Sequence, residues 1–206
     1  MTLDTLKYNR LLVFGSSDTY GAHLPDCIPT STLERTPSAY AWPNILGKKM
    51  SMPVNNMAIP GASNREILLT MLTSEIFETD LVVVCWTLVN RTYLLRDDAS
   101  LDKIFPHSET KPAELFYRLY DDNNLVHNTM LDVLHANLFF SNKKCNIYNF
   151  YTDPLIHIKT NSILSSPSLV YLDKSKLTVD RGADKMHPGL QSHINIANYV
   201  YGVLNE

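Results

Sequence analysis

The first residue in this sequence equipped to do chemistry is a serine in a small-residue turn just after a short apolar run. Leu11-Leu12-Val13-Phe14 reads as a strand, and Gly15-Ser16-Ser17-Asp18-Thr19-Tyr20-Gly21 follows it. A serine in such a turn is held at a sheet edge with its hydroxyl free to meet a substrate. A helix starting there would add N–H groups and a dipole that favour an oxyanion. Turn and cap serines are also common without chemistry, so this segment alone leaves both readings open. The second place is Asp184-Lys185-Met186-His187-Pro188-Gly189, just before a C-terminal helical pattern. A histidine base needs a carboxylate on its second ring nitrogen to fix the tautomer, and an aspartate three residues earlier on a turn can reach it. The bland alternative is a solvated loop acid beside an exposed histidine. The third place is Gly61, with Asn64 after it. A glycine after a strand lets a backbone N–H approach a substrate oxygen closely, and Asn64 offers a side-chain donor.

These residues need elements to position them, and the hydrophobic pattern supplies a β-α alternation. Strands are expected at 11–14, 53–59, 81–86, 145–150 and, more weakly, 169–172; Leu81-Val82-Val83-Val84-Cys85-Trp86 has the continuous apolar run of a strand covered on both faces. Ser63-Asn64-Arg65-Glu66 has the form of a capping box, and Ile67, Leu68, Met71, Leu72 and Ile76 fit one helix face behind it. Helical spacing recurs from 112 to 140 through Leu115, Leu119, Met130, Leu131, Leu134 and Leu138, with a break expected at 121–124. Leu190, Ile194, Ala197, Tyr201 and Leu204 make a final helix face. The order predicts one α/β domain over residues 1–206, a three-layer α/β/α sandwich of flavodoxin-like type around a mostly parallel sheet of about five strands. Right-handed crossovers put every strand's C-terminal end, and so the three places above, on one edge. The polar stretch 96–111 reads as an irregular insertion over that edge.

Composition removes several function classes. The chain has 206 residues, a formal net charge of −3 and scattered basic residues, which gives no general attraction to nucleic acid or anionic membrane. The apolar run near the start is only four residues long, too short for a signal-peptide core, and no segment approaches a membrane span. Cys27, Cys85 and Cys145 are odd in number and far apart, so a reducing, cytoplasmic compartment is expected. The histidines other than His187 show no ligand spacing, and no metal site is expected. There is no phosphate-loop motif, and the tyrosines read as packing.

Taken together, the three segments resemble the SGNH hydrolase superfamily, also called GDSL-like lipases and esterases. FGSSDTYG resembles the block F-G-D-S-x-T-x-G, with Ser16 where the family has aspartate. AIPGASN resembles the second block, with its glycine after strand two, and DKMHP matches D-x-x-H-P in full. The blocks keep their order from residue 14 to residue 188. Trp86-Thr87-Leu88-Val89-Asn90-Arg91 is further similar to the W-T/S-x-x-x-R segment of a phage-encoded SGNH-like group.

The resemblance implies ester hydrolysis without metal or cofactor, with Ser17 as nucleophile, His187 as general base and Asp184 as its orienting partner. The oxyanion donors would be the N–H groups of Ser17 and Gly61 and an asparagine side chain. The third block departs from the family: CWTLVNRT stands where G-x-N-D is usual, which leaves Asn90, one residue late, or Asn64 as the asparagine. Trp86 and Arg91 would line the pocket, Arg91 facing an anionic substrate group. The expected substrate is a small acyl ester, such as an acetylated carbohydrate or another small molecule. The altered third block also admits a binding or assembly protein with decayed chemistry, and the same triad would serve an acyltransferase.

Overall fold

Seven consecutive buried residues, Asp80–Trp86, form the middle strand of a five-stranded sheet. The computed structural model describes residues 5–27, 36–95, 97, 101–160 and 169–206. In chain order the strands are β1 (Arg10–Phe14), β2 (Val54–Asn56), β3 (Asp80–Trp86), β4 (Thr92–Leu95), β5 (Leu101–Ile104), β6 (Asn146–Tyr151) and β7 (Leu169–Tyr171). Five make one sheet in the order β2-β1-β3-β6-β7, with every neighbouring pair parallel. The helices are α1 (Ser17–Tyr20), α2 (Trp42–Met50), α3 (Asn64–Thr73), α4 (Lys111–Leu119), α5 (Asp122–Asn142), α6 (Pro154–Thr160), α7 (Lys174–Leu177) and α8 (Leu190–Leu204).

Side-chain alternation along β1 and β3 divides the core in two. Leu12, Phe14, Val82 and Val84 pack against Ile67, Met71, Met130 and Phe140 of α3 and α5. Leu11, Val13, Leu81 and Val83 pack against Trp42 and Leu46 of α2 and Ile196 and Val200 of α8. The result is the three-layer α/β/α sandwich that the pattern predicts. The capping box forms as expected: Glu66 N–H donates to Ser63 Oγ (3.3 Å) and Ser63 N–H to Glu66 Oε2 (2.9 Å).

Four expectations need correction. Residues 96–111 are not an irregular insertion throughout: β5 pairs antiparallel with β4, and α4 begins at Lys111, though residues 96 and 98–100 lie outside the described residues. The second strand stops at Asn56, because the segment beyond it turns toward Gly61. Helix α2 was not expected; it begins with Pro43 at its second position, a site that tolerates proline, and buries Trp42, Leu46 and Met50. Finally, Leu131, Leu134 and Leu138 are exposed, as are Leu115 and Leu119, while α5 buries Leu125, Val126, Met130, Val133, Ala136 and Phe140. The true core face mixes small, branched and aromatic residues, which a count of leucines passes over.

His193 of α8 is fully buried, and its Nδ1 accepts the Trp42 N–H at 3.0 Å. Burial pushes its pKa down to about 4. A histidine whose folded pKa lies below its unfolded value contributes stability in full above about pH 6.5, and loses it as pH falls toward 4. Asp132, pushed up to about 6 by burial, works with the opposite sign in that window. The difference between wild type and His193→Gln removes the Asp132 contribution. In urea titrations we expect that difference to shift by about 3 kcal/mol between pH 7 and pH 4. A difference independent of pH would contradict this assignment.

Candidate active site

The turn after β1 is built around one glycine. A Cβ on Gly15 would fall 2.3 Å from Thr19 Oγ1, so only glycine lets α1 begin this tightly. Ser17 is the first residue of α1 and is buried, and its N–H therefore has no partner within the helix. The helix is a single turn, so it offers an N–H group at the strand end rather than a strong dipole. The chain after β2 runs alongside: Ile59 N–H donates to Gly15 O (3.1 Å), and Asn56 Nδ2 donates to Thr19 O (2.8 Å). This brings Gly61 to the same edge, at φ +71°. A Cβ there would meet Phe105 at 3.2 Å. Among the described residues the Gly61 N–H donates to no protein acceptor.

Asp184 and His187 form a pre-assembled dyad. His187 Nδ1 lies 2.5 Å from Asp184 Oδ2, while Asp184 Oδ1 accepts the backbone N–H groups of Met186 and His187, each at 3.0 Å. Burial opposes the charge on Asp184, but these hydrogen bonds outweigh it and hold the carboxyl well below the usual carboxylate range. With Nδ1 committed to the carboxylate, the neutral imidazole's acceptor is Nε2, the state a general base needs. The loop that carries the dyad docks onto the segment after Ser17 through His23. Ala183 N–H donates to His23 O (3.0 Å), and the His23 and His187 rings stack at 5.1 Å. No hydrogen bond joins Ser17 to His187 among the described residues. Catalytic hydrogen bonds are often long until substrate binds. Asp18, beside Ser17, is tied to Lys174 by an ion pair and also feels the charge of His187.

The structure separates the candidate oxyanion asparagines. Asn64 is buried with its amide fully committed: Nδ2 donates to Thr87 O (3.2 Å) and Thr129 Oγ1 (3.1 Å), and Oδ1 accepts Thr87 N–H (2.7 Å). Both amide protons are occupied, so Asn64 braces the end of β3 and has no donor left for an oxyanion. Asn90 is uncommitted at its side chain: Oδ1 is buried without a partner, while its backbone carbonyl accepts the Tyr117 hydroxyl at 2.5 Å.

Trp86 also needs correction as a pocket residue. It is fully buried on the α3/α5 face of β3, and its indole N–H donates to Asn149 Oδ1 at 3.0 Å. A parallel strand covered on both faces turns its last large side chain into the core rather than toward solvent.

Arg91 does reach the site. Its Nη1 lies 3.4 Å from Ser16 Oγ and 3.2 Å from Thr87 Oγ1, and its guanidinium stands 5.9 Å from the centre of the Phe105 ring. Ser16 itself donates to Thr87 Oγ1 (3.1 Å), linking the ends of β1 and β3. Burial lowers the Arg91 pKa, with Asp18 opposing, and among the described residues no carboxylate pairs with this guanidinium. Arg91 also borders a cavity of about 480 Å³ with Asn128, Phe116 and Tyr120. His23, whose ring faces the same carboxylate as His187, had no local signal in the sequence: it lies more than 160 positions from its partners.

No helix among the described residues is long and apolar enough to cross a membrane. No protein-family model and no curated protein matches the chain. Solved structures do. The chain is similar to a proposed arylesterase from Agrobacterium tumefaciens, at 13% identity and TM-score 0.57, covering 95% of this chain and 98% of that one. A lipolytic G-D-S-L family member from Veillonella parvula matches at 11% identity and TM-score 0.53, over 94% of this chain and 97% of that one. An acetyl xylan esterase from Butyrivibrio proteoclasticus matches at 14% identity and TM-score 0.52, over 96% of this chain but 63% of that one. At these identities the likeness establishes the fold.

Proposed function

We propose that this chain, which has the fold of the G-D-S-L (SGNH) hydrolases, is a serine esterase that uses Ser17, His187 and Asp184. The observation that carries the reading is the 2.5 Å contact between His187 Nδ1 and Asp184 Oδ2, on a loop docked against the segment that follows Ser17. His187 Nε2 takes the Ser17 proton as Oγ attacks the ester carbonyl. The tetrahedral oxyanion is met by the N–H groups of Ser17 and Gly61, with the Asn90 amide as the available third donor. Collapse expels the alcohol, protonated by His187, and leaves an acyl-enzyme. Water, deprotonated by the same histidine, then releases the acid.

A small acyl group, such as acetyl on a carbohydrate, fits this reading; the acetyl xylan esterase of the same fold supports it. The test is acetate release from p-nitrophenyl acetate with and without an added alcohol. Saturable hydrolysis that disappears in His187→Ala is expected. Acetyl transfer to the alcohol in preference to water would assign an acyltransferase instead.

Arg91 gives the substrate a charge preference. Where the family places an aspartate before the serine, this chain has Ser16, and among the described residues the guanidinium hydrogen-bonds only to the Ser16 and Thr87 hydroxyls. An ester carrying a carboxylate near the scissile bond would supply the missing anion. Arg91→Gln should lower kcat/KM for such an ester by roughly 10- to 100-fold, the worth of a charged hydrogen bond, and leave a neutral ester nearly unchanged. Equal losses on both esters would count against this role.

A further inference from the structure

Two histidines converge on one carboxylate oxygen at this site. His23 Nε2 lies 3.6 Å from Asp184 Oδ2, the oxygen already in contact with His187 Nδ1. One donor atom from each of the three residues falls within 4.8 Å of the others. All three side chains are partly open to solvent, between 19% and 26% exposed, so an ion can reach them. Their placement is fixed by backbone. His23 takes φ +65°, its N–H donates to Cys27 O (3.2 Å), and its carbonyl accepts the N–H of Ala183, next to Asp184.

We propose that His23, Asp184 and His187 bind a divalent transition-metal ion of the Zn2+ type, and that occupation switches the esterase off. Two imidazoles and a carboxylate are a borderline-soft donor set that suits Zn2+ and does not suit Ca2+ or Mg2+. Zinc–ligand bonds of about 2.0–2.2 Å place tetrahedral donors roughly 3.3–3.5 Å apart. The His23–Asp184 separation already meets this. The His187–Asp184 contact must open by about 1 Å, which breaks the dyad's hydrogen bond. The fourth position stays open to water.

The inhibition follows from proton accounting and rests on the esterase reading. A neutral imidazole has one N–H. When Zn2+ takes the lone pair of His187 Nδ1, that proton must sit on Nε2, where it blocks acceptance of the Ser17 proton. The ring gains and loses no net proton; only its tautomer changes.

The test is calorimetric titration of EDTA-stripped protein with ZnCl2, paired with ester turnover in Zn2+ or EDTA. Wild type should bind one Zn2+ per chain at this site and lose turnover as it fills. His23→Asn, chosen because asparagine tolerates positive φ, should bind at least about tenfold more weakly and need correspondingly more Zn2+ for inhibition. Asp184→Asn is the second variant, with the same expectation for binding. Absence of stoichiometric binding in wild type, or unchanged affinity in both variants, overturns the proposal. Binding that depends on His23 in a protein without ester turnover would uphold the metal site and reject the esterase reading. Ester turnover indifferent to Zn2+ would uphold the esterase reading and overturn the proposed switch.

Discussion

Ser17→Ala is expected to lower kcat for ester hydrolysis by about 10⁴- to 10⁶-fold while the protein stays folded. The size of the effect reflects how a nucleophile works with its base: without Oγ no acyl-enzyme forms, and the remaining oxyanion donors and bound water give only residual catalysis. Stability should change little. Ser17 Oγ makes no hydrogen bond to the rest of the protein among the described residues, and alanine is a good helix former. Ser16→Ala is the contrasting control, since it removes the 3.1 Å link to Thr87 and leaves the nucleophile in place. If Ser17→Ala kept most of the turnover and Ser16→Ala lost it, the nucleophile would have to be reassigned.

Asp184→Asn is expected to cost about 10⁴-fold in kcat. Its Oδ1 could still accept the backbone N–H groups of Met186 and His187 that hold the loop. An amide facing His187 Nδ1 donates where the carboxylate accepts, so the ring's proton moves to Nε2 and the base is lost. Because Asp184 is held well below the usual carboxylate range, it stays ionised across neutral and mildly acidic pH. The acid limb of a wild-type pH profile will therefore not be its titration. A modest loss of twofold or threefold in Asp184→Asn, read by steady-state kinetics alongside a thermal melt, would mean that Asp184 only shapes the loop.

Much of this site could be read from local sequence, because its parts are local. The capping box at Ser63, the continuous run that became β3, and D-x-x-H-P are each set by neighbours within four or five residues, and each formed. The errors came where a residue's role depends on partners far along the chain. Asn64 looked like a donor at a strand end, and only its contacts with Thr87 and Thr129 show that its protons are committed. Trp86 sits at the right edge, but strand alternation turns it inward. His23 carries no motif at all. It joins Asp184 because a left-handed residue and a backbone hydrogen bond to Ala183 bring two distant loops together. The hairpin β4–β5 has no such local mark: among the described residues its strands pair only with each other, and β4 lacks the two-sided burial that makes a central strand conspicuous.

The most direct test of an activated serine needs no knowledge of the substrate. Purified protein is treated with a fluorophosphonate and its intact mass measured, beside Ser17→Ala and His187→Ala. We expect a single adduct on wild type, absent from Ser17→Ala and formed far more slowly in His187→Ala. A folded wild type that takes no adduct would contradict the account and point to a chain that keeps the fold for binding alone.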